Sequence, residues 1–285
     1  MPELPEVETL RLQLDRAIKG LRISEIQILK SKSFVGEPKE VIGKKVVGVQ
    51  RRAKITLTRL ENGFYLAIHL KLTGQLIYRK EENKFKKVTE NNGPFAVGEL
   101  PNKFTRIIVS FDNGGRLYFN DMRIFGWIKV IRNLQELGEE KLGPEANDDK
   151  KFTLEYFKNI LGRTGKPIKL VIMDQEKLAG VGNIYANEAL FAAGIDPRKP
   201  AKKLSDKETA DLREAIIKIL NEAIVHKGSS DKDEAYRQIT GEKGSHQNYI
   251  LVYGRLGQPC PKCGSAIKRI ALGGRGTFYC PACQK

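Results

Sequence analysis

The chain opens Met1-Pro2-Glu3-Leu4-Pro5-Glu6-Val7-Glu8-Thr9-Leu10. A residue as small as Pro2 favours removal of the initiator methionine, and the mature chain would then begin with a secondary amine. An α-amino group has a pKa near ~8 against ~10.4 for lysine, so roughly a tenth of it is neutral at pH 7. Such an amine can attack an electrophilic sugar carbon, and from proline the product is an iminium that is cationic without an added proton. Val7, Leu10, Leu14, Ala17 and Ile18 recur at helical spacing and predict an amphipathic helix over residues 5–19. Pro5 suits its first turn and Gly20 its end. The amine therefore lies near the positive end of a helix dipole, which lowers its pKa further. Glu3 opposes that shift, yet it stands one residue from the nucleophile, where a general acid is wanted.

With 50 Lys+Arg against 34 Asp+Glu in 285 residues, the net charge is +16 and the isoelectric point about 9.6. That balance favours a polyanionic partner, nucleic acid before membrane, because no basic amphipathic helix stands out. Structural RNA binders share this signature, so charge alone does not make an enzyme. The length suggests about two domains and suffices for a real core. No apolar run reaches about 18 residues and the acidic N-terminus has no signal-peptide core, so a cytosolic protein is expected. All four cysteines fall between 260 and 283, which argues for a metal site over a disulfide framework. His69, His226 and His246 are scattered and form no HExxH-like cluster, so histidine-based metal or triad chemistry is not expected.

Residues 21–132 read as strands. The short β-branched or aromatic runs are 45–49, 55–60, 64–70, 75–78, 106–111, 116–119 and 126–131, with turns at Glu61-Asn62-Gly63 and Asp112-Asn113-Gly114-Gly115. Such a succession predicts a β-sandwich or barrel. A charged linker over 135–151 leads into helices at 152–161, 167–173 and 184–193, the last with Asn183 as N-cap and Gly194 as stop. Ser205-Asp206-Lys207-Glu208 is a capping box for a longer helix with the stripe Leu212, Ile216, Ile219, Leu220 and Ile224. Residues 227–247 read as a mobile polar loop.

Cys260-x2-Cys263 and Cys280-x2-Cys283 are two knuckles whose four thiolates close a tetrahedral site, so one structural Zn2+ is expected, with no open position for catalysis. Between them Gly273-Gly274-Arg275-Gly276-Thr277 reads as a hairpin tip whose Arg275 can approach a phosphate. Gly180-Val181-Gly182-Asn183 places two glycines before a helix N-cap, an anion site built from backbone N–H groups and the dipole. Lys54 ends Arg51-Arg52-Ala53-Lys54 and is read as beginning a strand within a basic cluster, where a lysine ordinarily guards an edge. In Asp121-Met122-Arg123-Ile124-Phe125-Gly126, an Arg and a Phe two apart on an extended segment point the same way. That suits insertion into a duplex, the Phe wedging a base step and the Arg filling the vacated stack.

The strings PELPEVET, RRAK, GVGNIYANEAL, VYGR and RGTFYCPACQK, which span the whole chain, resemble formamidopyrimidine-DNA glycosylase, the bacterial family that excises oxidised purines. The resemblance implies a multidomain α+β fold. Its parts would be an N-terminal helix plus β-sandwich over 1–132, a helical helix–two-turn–helix domain over 133–245 and a zinc-binding β-hairpin over 246–285. It implies Pro2 as the Schiff-base nucleophile and Glu3 as general acid, with Lys54 and Arg275 assisting β,δ-elimination. It also implies that Asn183 grips DNA phosphate, that Lys169 lies near the damaged base, and that Arg163 is close to a basic position of the preceding loop. Leu72 would stand where the family usually has Met, filling the gap left by an extruded base together with Arg123 and Phe125. The implied partner is damaged double-stranded DNA, bound by a monomer with no membrane, in a nucleoid-associated bacterial protein. Met122 and Ile124 depart from the family's DPRRFG, Lys71, Leu72 and Thr73 from its HLGMSG, and a family His is missing near Phe104. These departures bear on lesion and opposite-base preference. The alternatives are an endonuclease VIII-like enzyme for oxidised pyrimidines, against which PELPEVET argues, and a non-catalytic zinc-containing nucleic-acid-binding protein.

Overall fold

The computed structural model describes residues 1–80, 98–230 and 235–285. Residues 81–97 of the expected strand region and 231–234 of the expected polar loop lie outside them. The chain divides into two compact units, one of Met1–Glu139 with His226–Gln247, the other of Glu140–Val225 with Asn248–Lys285.

In the first unit the apolar stripe of the opening residues forms helix α1 (Leu4–Ile18), burying Leu4, Val7, Leu10, Leu14 and Ile18. The strands are β1 (Ile23–Ile28), β2 (Phe34–Val35), β3 (Val46–Arg52), β4 (Ile55–Leu60), β5 (Tyr65–His69), β6 (Gly74–Arg79), β7 (Thr105–Phe111), β8 (Arg116–Asp121) and β9 (Trp127–Ile131). Among the described residues they form a five-stranded sheet, β2-β9-β5-β4-β3, and a four-stranded sheet, β1-β7-β8-β6. One core runs from α1 (Leu10, Leu14) through Val49, Leu66, Ile68 and Ile128 of the first sheet to Leu76, Ile107, Val109, Leu117 and Phe119 of the second. The sandwich of the sequence reading is thereby realised. The seven expected runs correspond to β3–β9, shifted by one or two residues at most ends. β1 was not singled out because its burial repeats in threes, and its ladder with β7 is irregular between Ile23 and Glu25, which hides the period of two.

The loop expected over 227–247 is corrected by its described residues. Ser229, Ser230, Ala235, Tyr236, Gln238 and Ile239 are buried, and Tyr236 and Ile239 join the sandwich core. Its polar backbone is satisfied by neighbours: Gln75 donates to the Ala235 carbonyl (2.9 Å), Tyr78 N–H to the Ile239 carbonyl (2.9 Å), and Gln13 accepts from Ile239 N–H (3.2 Å). A segment can be polar in composition and still pack when each donor finds a fixed acceptor.

The second unit contains α2 (Leu154–Gly162), α3 (Ile168–Ile172), α4 (Asn183–Ala192), α5 (Asp206–Val225) and the hairpin β10 (Lys268–Leu272) with β11 (Arg275–Tyr279). The capping box forms, with Ser205 N–H on the Glu208 carboxylate (2.9 Å) and Glu208 N–H on Ser205 Oγ (3.2 Å). The buried stripe of α5 is Thr209, Leu212, Ile216, Leu220 and Ala223, while Ile219 and Ile224 are only half-buried. The hairpin turns through Gly273 (φ +57°) and Gly274 (φ +71°), a left-handed pair that side chains resist. Among the described residues no helix is long and apolar enough to cross a membrane.

Candidate active site and zinc centre

At the start of α1, Pro2, Glu3 and Glu6 are all buried. α1 begins at Leu4, one residue before the expected start, so Glu3 is its N-cap and forms a reciprocal capping box with Glu6, whose Oε2 accepts the Glu3 N–H at 2.8 Å. Glu6 Oε1 accepts the Ser229 N–H at 2.7 Å. The residue after Pro2 is thus held on both sides at the positive end of the helix. While Met1 remains attached the Pro2 nitrogen is an amide and carries no nucleophilic lone pair.

Lys54 does not begin a strand. It is the second residue of the two-residue turn between β3 and β4, after Ala53 in the left-handed region (φ +50°), and it is 7% exposed, so it is no solvated edge guard. Arg51 fixes that turn: one guanidinium N–H bonds the Ala53 carbonyl (2.9 Å) and Nε bonds Glu8 of α1 (2.9 Å). The turn carrying Lys54 is tied to the first turns of the helix that carries Pro2 and Glu3. His69, at the end of β5, accepts the Lys71 N–H on Nδ1 (2.9 Å). Burial, then the charges of Lys71 and Lys54, push its imidazole down to about 3, so it is neutral and acts as an acceptor.

Arg123 and Phe125 lie on a loop between β8 and β9, which corrects the expected extended segment. Ile124 between them is left-handed (φ +56°), and the two side chains meet by stacking, the guanidinium 5.0 Å from the ring centroid. Phe125 is 49% exposed. The loop is shaped by fully buried Asp121, whose carboxylate accepts the N–H groups of Arg123 (3.1 Å), Phe125 (2.9 Å) and Gly126 (2.7 Å) and the Thr73 hydroxyl. Thr73 Oγ1 also accepts from Arg123 N–H (3.1 Å), so the loop is bound to the 70–74 turn that carries half-buried Leu72. Neither Asp121 nor Thr73 carries a role in the sequence itself. The available signal was an Asp two residues before the Arg, positioned to accept the N–H groups that follow it. Asp121→Asn removes one acceptor oxygen and turns an NH2 toward N–H donors, so it should cost about 2–4 kcal/mol. Urea unfolding measures this, and an unchanged midpoint would contradict the clamp.

In the second unit the first residue of α4 is Asn183, and its N-cap is Gly182, which corrects the expected capping role. The Asn183 amide donates instead to the Gly276 carbonyl (3.2 Å). Lys169 converges on the same carbonyl (3.2 Å) and on Thr277 Oγ1 (2.7 Å) and is 0% exposed. Asn187 accepts the Phe278 N–H (2.7 Å), and Glu188 accepts the N–H groups of Leu251 (2.8 Å), Val252 (3.0 Å) and Tyr253 (2.8 Å). Burial raises the Glu188 pKa against those three bonds. α3 and α4 therefore grip β11 directly behind exposed Arg275. Lys169 belongs to that grip; it is not a surface contact. Arg163 is the exposed C-cap residue of α2.

The Sγ atoms of Cys260, Cys263, Cys280 and Cys283 all lie within 4.8 Å of one another. Cys260 and Cys283 are 3.8 Å apart and Cys263 and Cys280 3.5 Å. Thiolates about 2.3 Å from a tetrahedral zinc stand about 3.8 Å apart, so the four residues fit that ion. The backbone N–H groups of Lys262 (3.4 Å) and Cys283 (3.5 Å) point at sulfur, as they do around thiolates. This is a structural zinc site.

An N-terminal helix on a β-sandwich, a set of helices and a four-cysteine hairpin define a multidomain zinc protein, and known proteins match each of these parts. Residues 1–128 match the formamidopyrimidine-DNA glycosylase N-terminal domain, 142–234 its H2TH domain, and 257–285 the zinc finger found in FPG and IleRS. The formamidopyrimidine-DNA glycosylase of Pelotomaculum thermopropionicum is 38% identical, with 100% of this chain and 99% of the relative covered. The crystal structure of MutM (Fpg) from Thermus thermophilus superposes with a TM-score of 0.86 at 36% identity, covering 99% of this chain and 98% of that one. Lactococcus lactis Fpg, solved with a DNA containing N7-benzyl-Fapy-dG, gives 0.87 at 32% identity, covering 100% of both chains. The chain belongs to the formamidopyrimidine-DNA glycosylase family.

Proposed function

We propose that Pro2, freed of Met1, is the nucleophile of this enzyme and Glu3 its general acid. Family membership makes the chain a bifunctional base-excision-repair DNA glycosylase and AP lyase that acts on oxidised purines in damaged double-stranded DNA. The observation that carries the residue assignment is the buried capping box, which holds Glu3 beside the one residue whose nitrogen becomes a secondary amine. Extrusion of the damaged nucleotide exposes C1′. The Pro2 lone pair forms a bond to C1′, the glycosidic bond breaks with its electrons leaving on the base, which takes up the amine proton, and Glu3 then gives its proton to the ring oxygen O4′ as the C1′–O4′ bond breaks and the nitrogen lone pair forms the C1′=N bond. The resulting iminium acidifies the neighbouring C–H bond. Loss of that proton expels the 3′ phosphate, and a second elimination expels the 5′ phosphate. Lys54 and Arg275 assist these departures as phosphate-directed cations, and Asn183 and Arg163 hold the backbone. The zinc ion fixes the hairpin that presents Arg275. Lys169 acts on DNA through that hairpin. The protein works as a monomer, since the assigned groups are all on one chain, and its thiolate site suits a bacterial cytoplasm. Strand cleavage of duplexes carrying 8-oxoguanine, a formamidopyrimidine or an oxidised pyrimidine tests the reading: the two purine lesions should be cut, and cleavage confined to the pyrimidine would overturn it.

Leu72, Arg123 and Phe125 fill the space left by the extruded base. Leu72→Met conserves volume and should change excision less than about tenfold, since such swaps cost under ~1.5 kcal/mol. Leu72→Ala leaves a hole in the stack and should cost more. Single-turnover excision of 8-oxoguanine by both variants decides this, with an abasic duplex as the less sensitive control. Wild-type rates for Leu72→Ala would reduce Leu72 to a turn residue.

A further inference from the structure

His226 and His246, scattered in sequence, meet in the first unit. Their rings stack with centroids 5.4 Å apart and planes 24° from parallel, and the two Nδ1 atoms are 3.1 Å apart. A bond between two such nitrogens needs one Nδ1–H and one lone pair. It therefore persists with the pair neutral or singly protonated, and two protons set N–H against N–H.

The pair closes a neck between the two ends of the His226–Gln247 segment of the first unit. Ser245 gives both its N–H (3.0 Å) and its hydroxyl (2.9 Å) to the His226 carbonyl, His246 N–H bonds the Gly228 carbonyl (3.0 Å), and Gly244 N–H bonds Ser230 Oγ (3.0 Å). That neck bears on α1. Ser229 supplies the N–H that Glu6 Oε1 accepts, and Gly228 approaches so closely that a Cβ there would stand 2.9 Å from the same oxygen. Glu6 in turn holds the Glu3 N–H.

The geometry points to His226 and His246 as positioning residues for the general acid: the paired rings keep the neck seated on Glu6, and a second proton on the pair unseats it. This rests on the reading of Glu3 as proton donor. Burial first, and the charge of His226 second, push His246 down to about 4. The flanking cations on the chain are Lys227 and Lys243, and the carboxylate presented by α1 is Glu6, already engaged by Ser229 and Glu3. The closed pair is thus complete above the ordinary histidine range and is lost as the pH falls through about 4.

The test compares wild type with His226→Leu/His246→Phe, a stacked pair with no proton to take, in single-turnover excision of 8-oxoguanine across the acid range. Near pH 7.5 the two should agree within about threefold, whereas near pH 4 the wild type should have lost about tenfold more of its rate than the variant. Identical acid limbs would overturn the proposal. Absence of excision by wild type at every pH would instead sink the functional reading. Nitrogen-15 NMR of uniformly labelled wild type decides the pairing without any variant or activity. One shared Nδ1 proton, with the Ser229 amide moving as His246 titrates, is expected; two independent titrations near the unperturbed ~6.5 with Ser229 unmoved would overturn it.

Discussion

A chain that keeps Met1, or carries an uncleaved N-terminal tag, forms no covalent intermediate with abasic duplex DNA. The Pro2 nitrogen is then an amide, its lone pair is delocalised into the carbonyl, and no neighbouring group can restore it. The loss should reach about a thousandfold or more in borohydride trapping, because the nucleophile itself is removed. Intact mass establishes which N-terminus is present, and gel quantification gives the trapped fraction. Equal trapping by the extended and processed chains would remove Pro2 from the mechanism and leave a lysine to be found.

The second large effect belongs to the zinc centre. Each CxxC knuckle supplies two of the four thiolates, and the hairpin between them has few apolar contacts of its own beyond Ile267, Phe278 and the buried cysteines. Structural zinc in small modules contributes about 10–16 kcal/mol of apparent binding free energy, so losing two thiolates removes most of what folds the tail. Cys263→Ser/Cys280→Ser should therefore lose the metal, loosen β10 and β11, and weaken DNA binding sharply. Arg275→Ala should keep one zinc per chain and weaken binding only by a lost phosphate contact. Metal analysis beside a DNA-binding titration separates the two. Full zinc stoichiometry in the double cysteine variant would contradict the assignment.

What could be read from the chain was whatever depends on near neighbours. The α1 stripe, the Asn-Gly and Gly-Gly turns, the Ser205–Glu208 box and the cysteine spacing each act within a few residues, and each appears where expected. Pro2 stands just before α1 as expected, whereas Lys54 lies in a turn and not on a strand, and Asn183 lies inside α4 and not at its cap. The local state of those residues was harder, because distant partners set it. Lys169 stands among Ile168, Leu170 and Val171 like any helix lysine, and its partners Thr277 and Gly276 lie more than a hundred residues away in sequence. Asn183 yields its cap to Gly182 because its amide is needed at the same carbonyl. Asp121 at the end of β8 reaches Thr73 just before the neighbouring strand β6, and the His226–His246 pair closes over a segment read as polar loop. In each case the composition was visible and the long-range geometry was not.

The most direct test of the central claim is to trap the enzyme on an abasic duplex with borohydride, digest the adduct and locate the modified residue by mass spectrometry. The account requires the sugar remnant on the nitrogen of Pro2 in a chain lacking Met1. A remnant on Lys54, Lys169 or any other lysine, with the N-terminus unmodified, would contradict it.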